Sequence, residues 1–291
     1  MRKQLVKTVE SILESNKRSV LLLGDIGVFG FRKSIERYPN RAYNIGILEQ
    51  TTIGLAAGLS KTNLIPIVHT IAPFLVERAY EQLKIDFGYQ ELNGNFISVG
   101  SSYDYASLGP THHCPGDVSM LKNIPNMQII VPGNSDEFDF LFNQSYDNGK
   151  PTYYRLSEYE NKYKVNVEVD KANLIRSGRD ATIICVGNML DRVIESCLDL
   201  DVTILYYTTI SPFDYELLND NFNENIIICE PYYEGCLNYE INRTFSNKTH
   251  RILNIGVPHR FLINYGKKEE HDKNLGLDML SIREKIIKFI C

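Results

Sequence analysis

The sequence predicts an α/β protein with two domains, each a mostly parallel sheet flanked by helices. Short continuous apolar runs, typical of strands buried on both faces, alternate with helical patterns. This alternation stops in a polar stretch and then begins again, and a chain of 291 residues is long enough for two ordinary domains. We therefore expect one domain at residues 1–157, a linker at residues 158–178 and a second domain at residues 179–291.

The first half of the chain alternates regularly between the two kinds of pattern. Apolar residues recur at helical spacing from Leu5 to Leu13, a second helix should begin near Ile47, and a third should run from Phe74 to Phe87. Ser135, followed by two acidic residues, is a predicted helix N-cap. Buried strands are expected at residues 20–23, 65–68, 96–99, 128–131 and 152–156.

The second half repeats this alternation after the polar stretch. A closing helix should follow Asp278, with helical patterns between the preceding strands. Strands that alternate with helices in this way predict a mostly parallel sheet. These strands are expected at residues 181–187, 202–206, 226–229 and 251–255.

Composition and charge argue against several classes of protein. The net charge is −5, with both signs interspersed and no basic block, which argues against a nucleic-acid-binding surface. No apolar run reaches the length of a membrane span, and the N-terminus lacks the apolar core of a signal peptide. The six cysteines are scattered without a CxxC pair, and Cys185 and Cys229 lie in apolar runs, so we expect a protein of the reducing cytoplasm.

One carboxylate stands out because of its surroundings. Glu49 lies at the expected start of a helix that is otherwise apolar and rich in small residues, where Gly54 and Gly58 would let another backbone approach closely. A charge in such a place is unfavourable unless it is paired, hydrogen-bonded or protonated. The residues alone leave two explanations open: a carboxylate stabilised by the helix N-terminus, or a functional acid.

A long loop supplies a second group of candidates. The strand at residues 96–99 is followed by about sixteen residues without a regular pattern, and loops of that length in compact domains are usually functional or disordered. This loop carries Gly109-Pro110-Thr111-His112-His113, which favours function. Adjacent side chains in a loop need not face the same way, so the two histidines are separate candidates.

Several blocks of the chain, taken in order, resemble one family. They lie at residues 46–58, 74–82, 108–113, 124–132, 187–189, 210–214, 229–231 and 256–261. The first half resembles the pyrimidine-binding domain of transketolase-like thiamine-diphosphate enzymes, and the second half is similar to the C-terminal domain of the same enzymes. The chain looks most like stand-alone C-terminal subunits of split transketolases and the matching part of deoxyxylulose-phosphate synthase.

The chain also departs from that family. A complete enzyme has a diphosphate-binding domain, in which a Gly-Asp-Gly motif and a later asparagine hold the metal. No such motif occurs here, and Gly24-Asp25-Ile26-Gly27 is only superficially similar. The resemblance therefore implies half an enzyme, without metal ligands of its own. An N-terminal transketolase subunit would supply the diphosphate and Mg²⁺ site, and a homodimer of this chain would lie within an α2β2 assembly.

The resemblance implies which residues meet the cofactor, thiamine diphosphate. In the family, the glutamate at the position of Glu49 contacts N1′ of the aminopyrimidine and shares a proton with it, and this activates the cofactor. Phe74 matches an aromatic residue that packs on the pyrimidine ring. Tyr80 is a neighbouring candidate, although its helical spacing also suits a core role. Asp25 resembles a family acid at a strand end near the cofactor.

Five residues are candidates for substrate contacts. His112 matches a family histidine at the substrate channel that assists proton transfer or binds hydroxyl oxygens, and His113 lies beside it. Arg155 resembles an arginine that binds the substrate's phosphate through its guanidinium fork, with a structural ion pair as the alternative. Arg78 could reach a phosphate or pair with a surface carboxylate. His69 stands at a strand end, where ligands often bind, or is a core histidine.

These residues predict a sugar-directed enzyme, with alternatives. A further family histidine has no counterpart, because Ser101, Ser102 and Tyr103 occupy its neighbourhood. We expect a transferase that moves a two-carbon ketol unit from a phosphorylated ketose to an aldose. A 2-oxoacid dehydrogenase β subunit and a deoxyxylulose-phosphate-type acyloin synthase are the enzymatic alternatives. The alternative of another class is a non-catalytic regulatory or binding subunit.

Overall fold

The computed structural model describes residues 1–291 and shows two mostly parallel sheets flanked by helices, which is the predicted fold class. The first sheet contains β1 (Ser19–Leu23), β2 (Ala42–Asn44), β3 (Ile65–Ile71), β4 (Gly94–Val99), β5 (Gln128–Ile130), β6 (Pro151–Arg155) and β10 (Thr209–Ser211). The second contains β7 (Ala172–Arg176), β8 (Thr182–Val186), β9 (Thr203–Tyr207), β11 (Asn225–Tyr233) and β12 (Arg251–Val257).

Each sheet has one antiparallel edge strand. The first has the order β10-β5-β6-β4-β3-β1-β2, and only β10 is antiparallel to its neighbour. The second has the order β12-β11-β8-β9-β7, and only β7 is antiparallel. All five residues of β1 and of β8 are buried, as expected of strands covered on both faces.

The connections between strands are mostly helical. Long helices begin and end the chain, and none of the helices is long and apolar enough to cross a membrane. The helices are α1 (Arg2–Ser15), α2 (Val28–Arg37), α3 (Glu49–Lys61), α4 (Ala72–Val76), α5 (Tyr80–Gln82), α6 (Asp117–Leu121), α7 (Ser135–Ser145), α8 (Leu190–Ser196), α9 (Tyr215–Asp220), α10 (Asn238–Thr244), α11 (Lys268–Leu275) and α12 (Met279–Ile290).

Two local predictions about helices were wrong. The expected continuous helix from Phe74 to Phe87 is broken, because α4 ends at Val76 and the chain resumes as α5, followed by π-helical turns over Leu83–Tyr89. The N-cap of α7 is Asn134 rather than Ser135. The Asn134 side chain accepts hydrogen bonds from the backbone N–H groups of Asp136 and Glu137.

The two halves are less separate than the sequence suggests. Strand β7 lies inside the stretch expected to be a linker. Its residues are only partly buried, and its sequence lacks the apolar run that is typical of a central strand. Strand β10, from the second half, pairs with β5 of the first sheet. Apolar residues of both halves also share core clusters, one of which includes Val99 and Ile183. The boundaries at residues 157 and 179 stay a prediction.

Candidate active site

The loop after β2, the edge strand beside β1, places Glu49. The chain leaves β2 at Asn44 and turns at Gly46, whose φ of +85° favours glycine. Asn44 braces this turn, because its Oδ1 accepts from the backbone N–H of Gly46 at 3.1 Å and from that of Asp25 at 2.9 Å. Glu49 is then the first residue of α3, where the backbone N–H groups favour a carboxylate.

The Glu49 carboxylate is buried and paired. Its side chain is 8% exposed, and its Oε1 accepts a hydrogen bond from Arg78 Nη1 at 3.0 Å. Arg78 lies between α4 and α5, where the helix expected from sequence is broken, and its own side chain is 48% exposed. Of the two alternatives for Arg78, the structure shows the ion pair, but with Glu49 rather than with a surface carboxylate.

Two aromatic rings, those of Phe74 and His112, follow this ion pair in a chain of contacts. The guanidinium carbon of Arg78 lies 4.0 Å from the ring centroid of Phe74, in cation–π contact. The ring of Phe74 in turn meets His112 edge-on, with 5.4 Å between centroids. The Nδ1 atom of His112 lies 2.9 Å from the hydroxyl of Thr111. Glu49, Arg78, Phe74 and His112 thus form one contact chain, which we call the Glu49–His112 cluster.

The cluster opens on one side to a broad depression. Glu49 and Arg78 line it together with Ile47 and Leu48, and its volume is about 440 Å³. Ile47 and Leu48 directly precede α3 and are 66% and 54% exposed. The depression therefore has apolar side chains at its rim that nothing in this chain covers.

His113 does not join His112, although it is the next residue. Its side chain is buried, and its ring lies 5.8 Å from that of His271 in α11. Burial and the neighbouring His271 lower the pKa of His113, which favours a neutral ring. The loop therefore presents its two histidines to different surroundings.

Arg155 does not have the exposed guanidinium expected of a phosphate ligand. It is almost fully buried, its Nε donates to Asp117 Oδ2 at 2.7 Å, and its Nη2 donates to the Ser102 hydroxyl at 2.7 Å. Ser102 and Cys114 form a β-bridge, so these contacts hold both ends of the loop that carries His112. The structure thus shows the ion-pair alternative for Arg155. Asp117 was missed from the sequence, since it lies 38 residues from its partner.

The other candidates lie outside the cluster. His69 is a core histidine: its ring is buried, its Nδ1 lies 2.9 Å from the carbonyl oxygen of Ile97, and burial lowers its pKa to about 4. Asp25 is exposed at the end of β1, with a φ of +64°, and accepts from Asn44. Tyr80 packs partly buried against the hydrophobic core, the alternative expected from its helical spacing.

The chemistry of the cluster fits the pyrimidine end of thiamine diphosphate. It offers a buried carboxylate, of which only Oε1 is bonded within the chain, beside an aromatic ring and an imidazole. No group of three or more His, Cys, Asp or Glu side chains is arranged to hold a metal ion. These residues can therefore hold a proton, stack on a ring and bind oxygens.

Comparisons with known proteins identify the family of the chain. Residues 1–162 match the family described as "Transketolase, pyrimidine binding domain". Over 97% of its length the chain is 35% identical to a 33.6 kDa protein of the fasciation locus of Rhodococcoides fascians, of which it covers 92%. The chain therefore belongs to the transketolase pyrimidine-binding family, and membership implies use of thiamine diphosphate.

Other relatives are known under functional names. One of the subunits of apulose-4-phosphate transketolase from Phocaeicola vulgatus is 27% identical, with 99% of this chain and 97% of that protein covered. 1-Deoxy-D-xylulose-5-phosphate synthase from Mannheimia succiniciproducens is 29% identical over 87% of this chain, which spans only 42% of that protein. A solved structure described as an inactive β4 tetramer of a split-gene transketolase shares the fold, with a TM-score of 0.87, 22% identity, and 99% and 97% of the two chains covered.

Proposed function

We propose that this chain is the C-terminal subunit of a split, thiamine-diphosphate-dependent transketolase. It would move a two-carbon ketol unit from a phosphorylated ketose to an aldose acceptor. The observation that carries this proposal is the Glu49–His112 cluster, because three separate segments bring a carboxylate, an aromatic ring and an imidazole into contact. Three of its four members are the residues that the family resemblance marks for cofactor or substrate.

Glu49, Phe74 and His112 have distinct roles in this proposal. Bound thiamine diphosphate supplies the nucleophile and the electron sink. Glu49 holds a proton at N1′ of the aminopyrimidine, and its burial limits competition from water. Phe74 packs on the pyrimidine ring. His112, which is partly exposed, moves a proton at a substrate oxygen or binds a substrate hydroxyl.

A partner chain is part of the proposal because this chain lacks an arranged metal site. The partner would hold the diphosphate and Mg²⁺. The exposed rim residues Ile47 and Leu48 would then be covered by another chain, and Leu55, further along α3, is also 43% exposed. A side chain added at Gly58 would meet no atom within 4 Å, so another backbone can approach this face of α3. The apulose-4-phosphate transketolase relative is named as one subunit of its enzyme, which supports an assembly of two kinds of chain, and we propose α2β2.

Three alternatives are distinguishable by assay. A deoxyxylulose-phosphate-type acyloin synthase is supported by the 29% identity to that enzyme, and it would form deoxyxylulose phosphate instead of transferring a ketol unit. A 2-oxoacid dehydrogenase β-type subunit would act on a 2-oxoacid. A non-catalytic regulatory subunit would leave the mixture with the partner chain unable to bind the cofactor, and the intact cluster argues against it.

The test is cofactor binding by the reconstituted complex. The chain is co-expressed with a candidate partner that carries a Gly-Asp-Gly motif, and thiamine diphosphate binding is measured by calorimetry for the mixture and for each chain alone. We expect binding by the mixture only. Glu49→Gln should weaken binding or abolish turnover, whereas Glu195→Gln on the exposed face of α8 should change neither. Full binding and turnover by this chain alone would contradict the split site.

A further inference from the structure

The loop that carries His112 is anchored at its base and otherwise lacks hydrogen bonds to the rest of the protein. Ser102 and Cys114 form a β-bridge, in which the Cys114 backbone N–H donates to the Ser102 carbonyl oxygen at 2.8 Å. Residues 103–113 extend from this bridge, and we call them the His112 arm. No hydrogen bond joins residues 105–112 to a segment outside the arm. The place of His112 therefore depends on the groups that hold the two ends of the arm.

Helix α11, from the second half of the chain, contacts both ends of the His112 arm. At the start of the arm, the Tyr103 hydroxyl donates to Asp272 Oδ1 at 2.6 Å. The ring of His271 lies 5.4 Å from that of Tyr103 and 5.8 Å from that of His113, which is at the end of the arm. All four side chains are buried. Two consecutive residues of α11 thus reach both ends of the arm.

Asp272 is itself held within the second half of the chain. Its Oδ2 accepts from Arg192 Nη2 of α8 at 2.7 Å and lies 3.5 Å from Lys268 Nζ, one turn earlier in α11. Its Oδ1 is bonded to Tyr103, and a hydroxyl that donates to a carboxylate paired with cations forms a short, strong hydrogen bond. The Tyr103 hydroxyl is therefore attached to a carboxylate whose own position is fixed by two helices of the second half.

The first half of the chain also holds the start of the arm. Asp104 accepts from the Ser157 hydroxyl at 3.1 Å and from the Glu158 backbone N–H at 3.0 Å. These bonds keep the arm attached to its own half if the Tyr103 hydroxyl is removed. The bond from Tyr103 to Asp272 is the one hydrogen bond between the arm and α11, so its loss acts on the position of the arm relative to the second half.

We propose that Tyr103 and Asp272 are positioning residues for His112. Their hydrogen bond fixes the start of the arm, and the arm holds the His112 ring 5.4 Å from that of Phe74. This assignment rests on the proposed function, in which His112 moves a proton at a substrate oxygen or binds a substrate hydroxyl. A displacement of about 1 Å in a catalytic group can lower a rate about a hundredfold. The second half of the chain thus has a part in turnover, because α11 determines where His112 lies.

The experiment compares two variants that each lose one buried hydroxyl. Tyr103→Phe removes the hydroxyl that donates to Asp272. The matched control, Tyr206→Phe in β9, removes a hydroxyl that donates to Glu137 Oε2 of α7 at 2.7 Å and has no contact with the His112 arm. Both carboxylates keep other hydrogen-bond donors, so both variants should fold and lose similar free energies of unfolding in urea.

The first measurement is amide hydrogen exchange of the full chain alone, followed by mass spectrometry. In Tyr103→Phe the amides of residues 105–112 should exchange about tenfold faster or more than in the wild type, because a hydrogen bond to a charged group no longer opposes opening of the arm. In Tyr206→Phe they should exchange as in the wild type. Unchanged exchange in Tyr103→Phe, or equal acceleration in both variants, would overturn the proposal.

The second measurement is turnover of the complex with the partner chain. Tyr103→Phe should lower kcat about tenfold or more and leave the affinity for thiamine diphosphate within about twofold of wild type, because Glu49 and Phe74 keep their places. Tyr206→Phe should keep the wild-type kcat. Wild-type kcat for Tyr103→Phe, despite faster exchange of the arm, would overturn the positioning role. Hydrogen exchange requires neither cofactor nor turnover, so a failure there is distinguishable from a failure of the proposed function.

Discussion

Replacing Glu230 by glutamine should remove much of the pH dependence of this protein's stability. Glu230 is fully buried in β11, where its Oε1 accepts from the backbone N–H groups of Gly235 at 2.5 Å and Cys236 at 3.1 Å. Its Oε2 has no partner. Burial is the main cause that raises the pKa of Glu230 from 4.5 to about 8, so the carboxyl is largely protonated in the folded protein at neutral pH.

The sign and size of the effect follow from this difference in pKa. Between about pH 4.5 and pH 8 the folded chain binds a proton that the unfolded chain releases, so stability falls as pH rises through this range and then levels off. A difference of about 3.5 between the folded and unfolded pKa values corresponds to about 5 kcal/mol. From about pH 5 to about pH 9, wild type should lose about 4 kcal/mol relative to Glu230→Gln.

The assay is urea unfolding of both proteins at several pH values. Glutamine keeps an oxygen that can accept from Gly235 and Cys236, but it never carries a charge, so the variant reports on ionisation rather than on lost hydrogen bonds. Glu216→Gln, at an exposed position of α9, is the control and should retain the wild-type slope. If Glu230→Gln and wild type show the same dependence of unfolding free energy on pH, the reasoning about this buried carboxyl is refuted.

Two further substitutions test the ion pairs of the site. Asp117→Asn should destabilise the fold by about 3–5 kcal/mol in urea unfolding, because it leaves the buried guanidinium of Arg155 without its charge partner; a loss below about 1 kcal/mol would contradict this. Arg78→Ala should change the unfolding free energy by less than about 1 kcal/mol, since Arg78 is half exposed. It should nevertheless lower turnover of the complex, because Glu49 loses the group that holds it; wild-type turnover would argue against that role.

Much of the fold could be predicted from local sequence. Continuous apolar runs marked the central strands, and β1 and β4 begin within two residues of the predicted positions. The short edge strands β2, β7 and β10 were missed, because they are three to five residues long and carry no apolar run. Their pairing depends on neighbours that are distant in sequence, which local patterns do not encode.

The candidate site was predicted in part. Glu49, Phe74 and His112 came from the family resemblance, and the structure brings all three together through Arg78. The partner of Arg78 could not be predicted, because the break between α4 and α5 turns its side chain toward Glu49, 29 residues away.

The central claim is that Glu49 works only within a two-chain site, and one measurement tests it most directly. Thiamine-diphosphate-dependent ketol transfer from fructose 6-phosphate to an aldose phosphate is followed while the partner chain is titrated into a fixed amount of this chain. We predict no transfer by either chain alone, a rise that saturates near equimolar chains, and loss of most turnover with Glu49→Gln. Transfer by this chain alone, or wild-type turnover by the Glu49→Gln complex, would contradict the account.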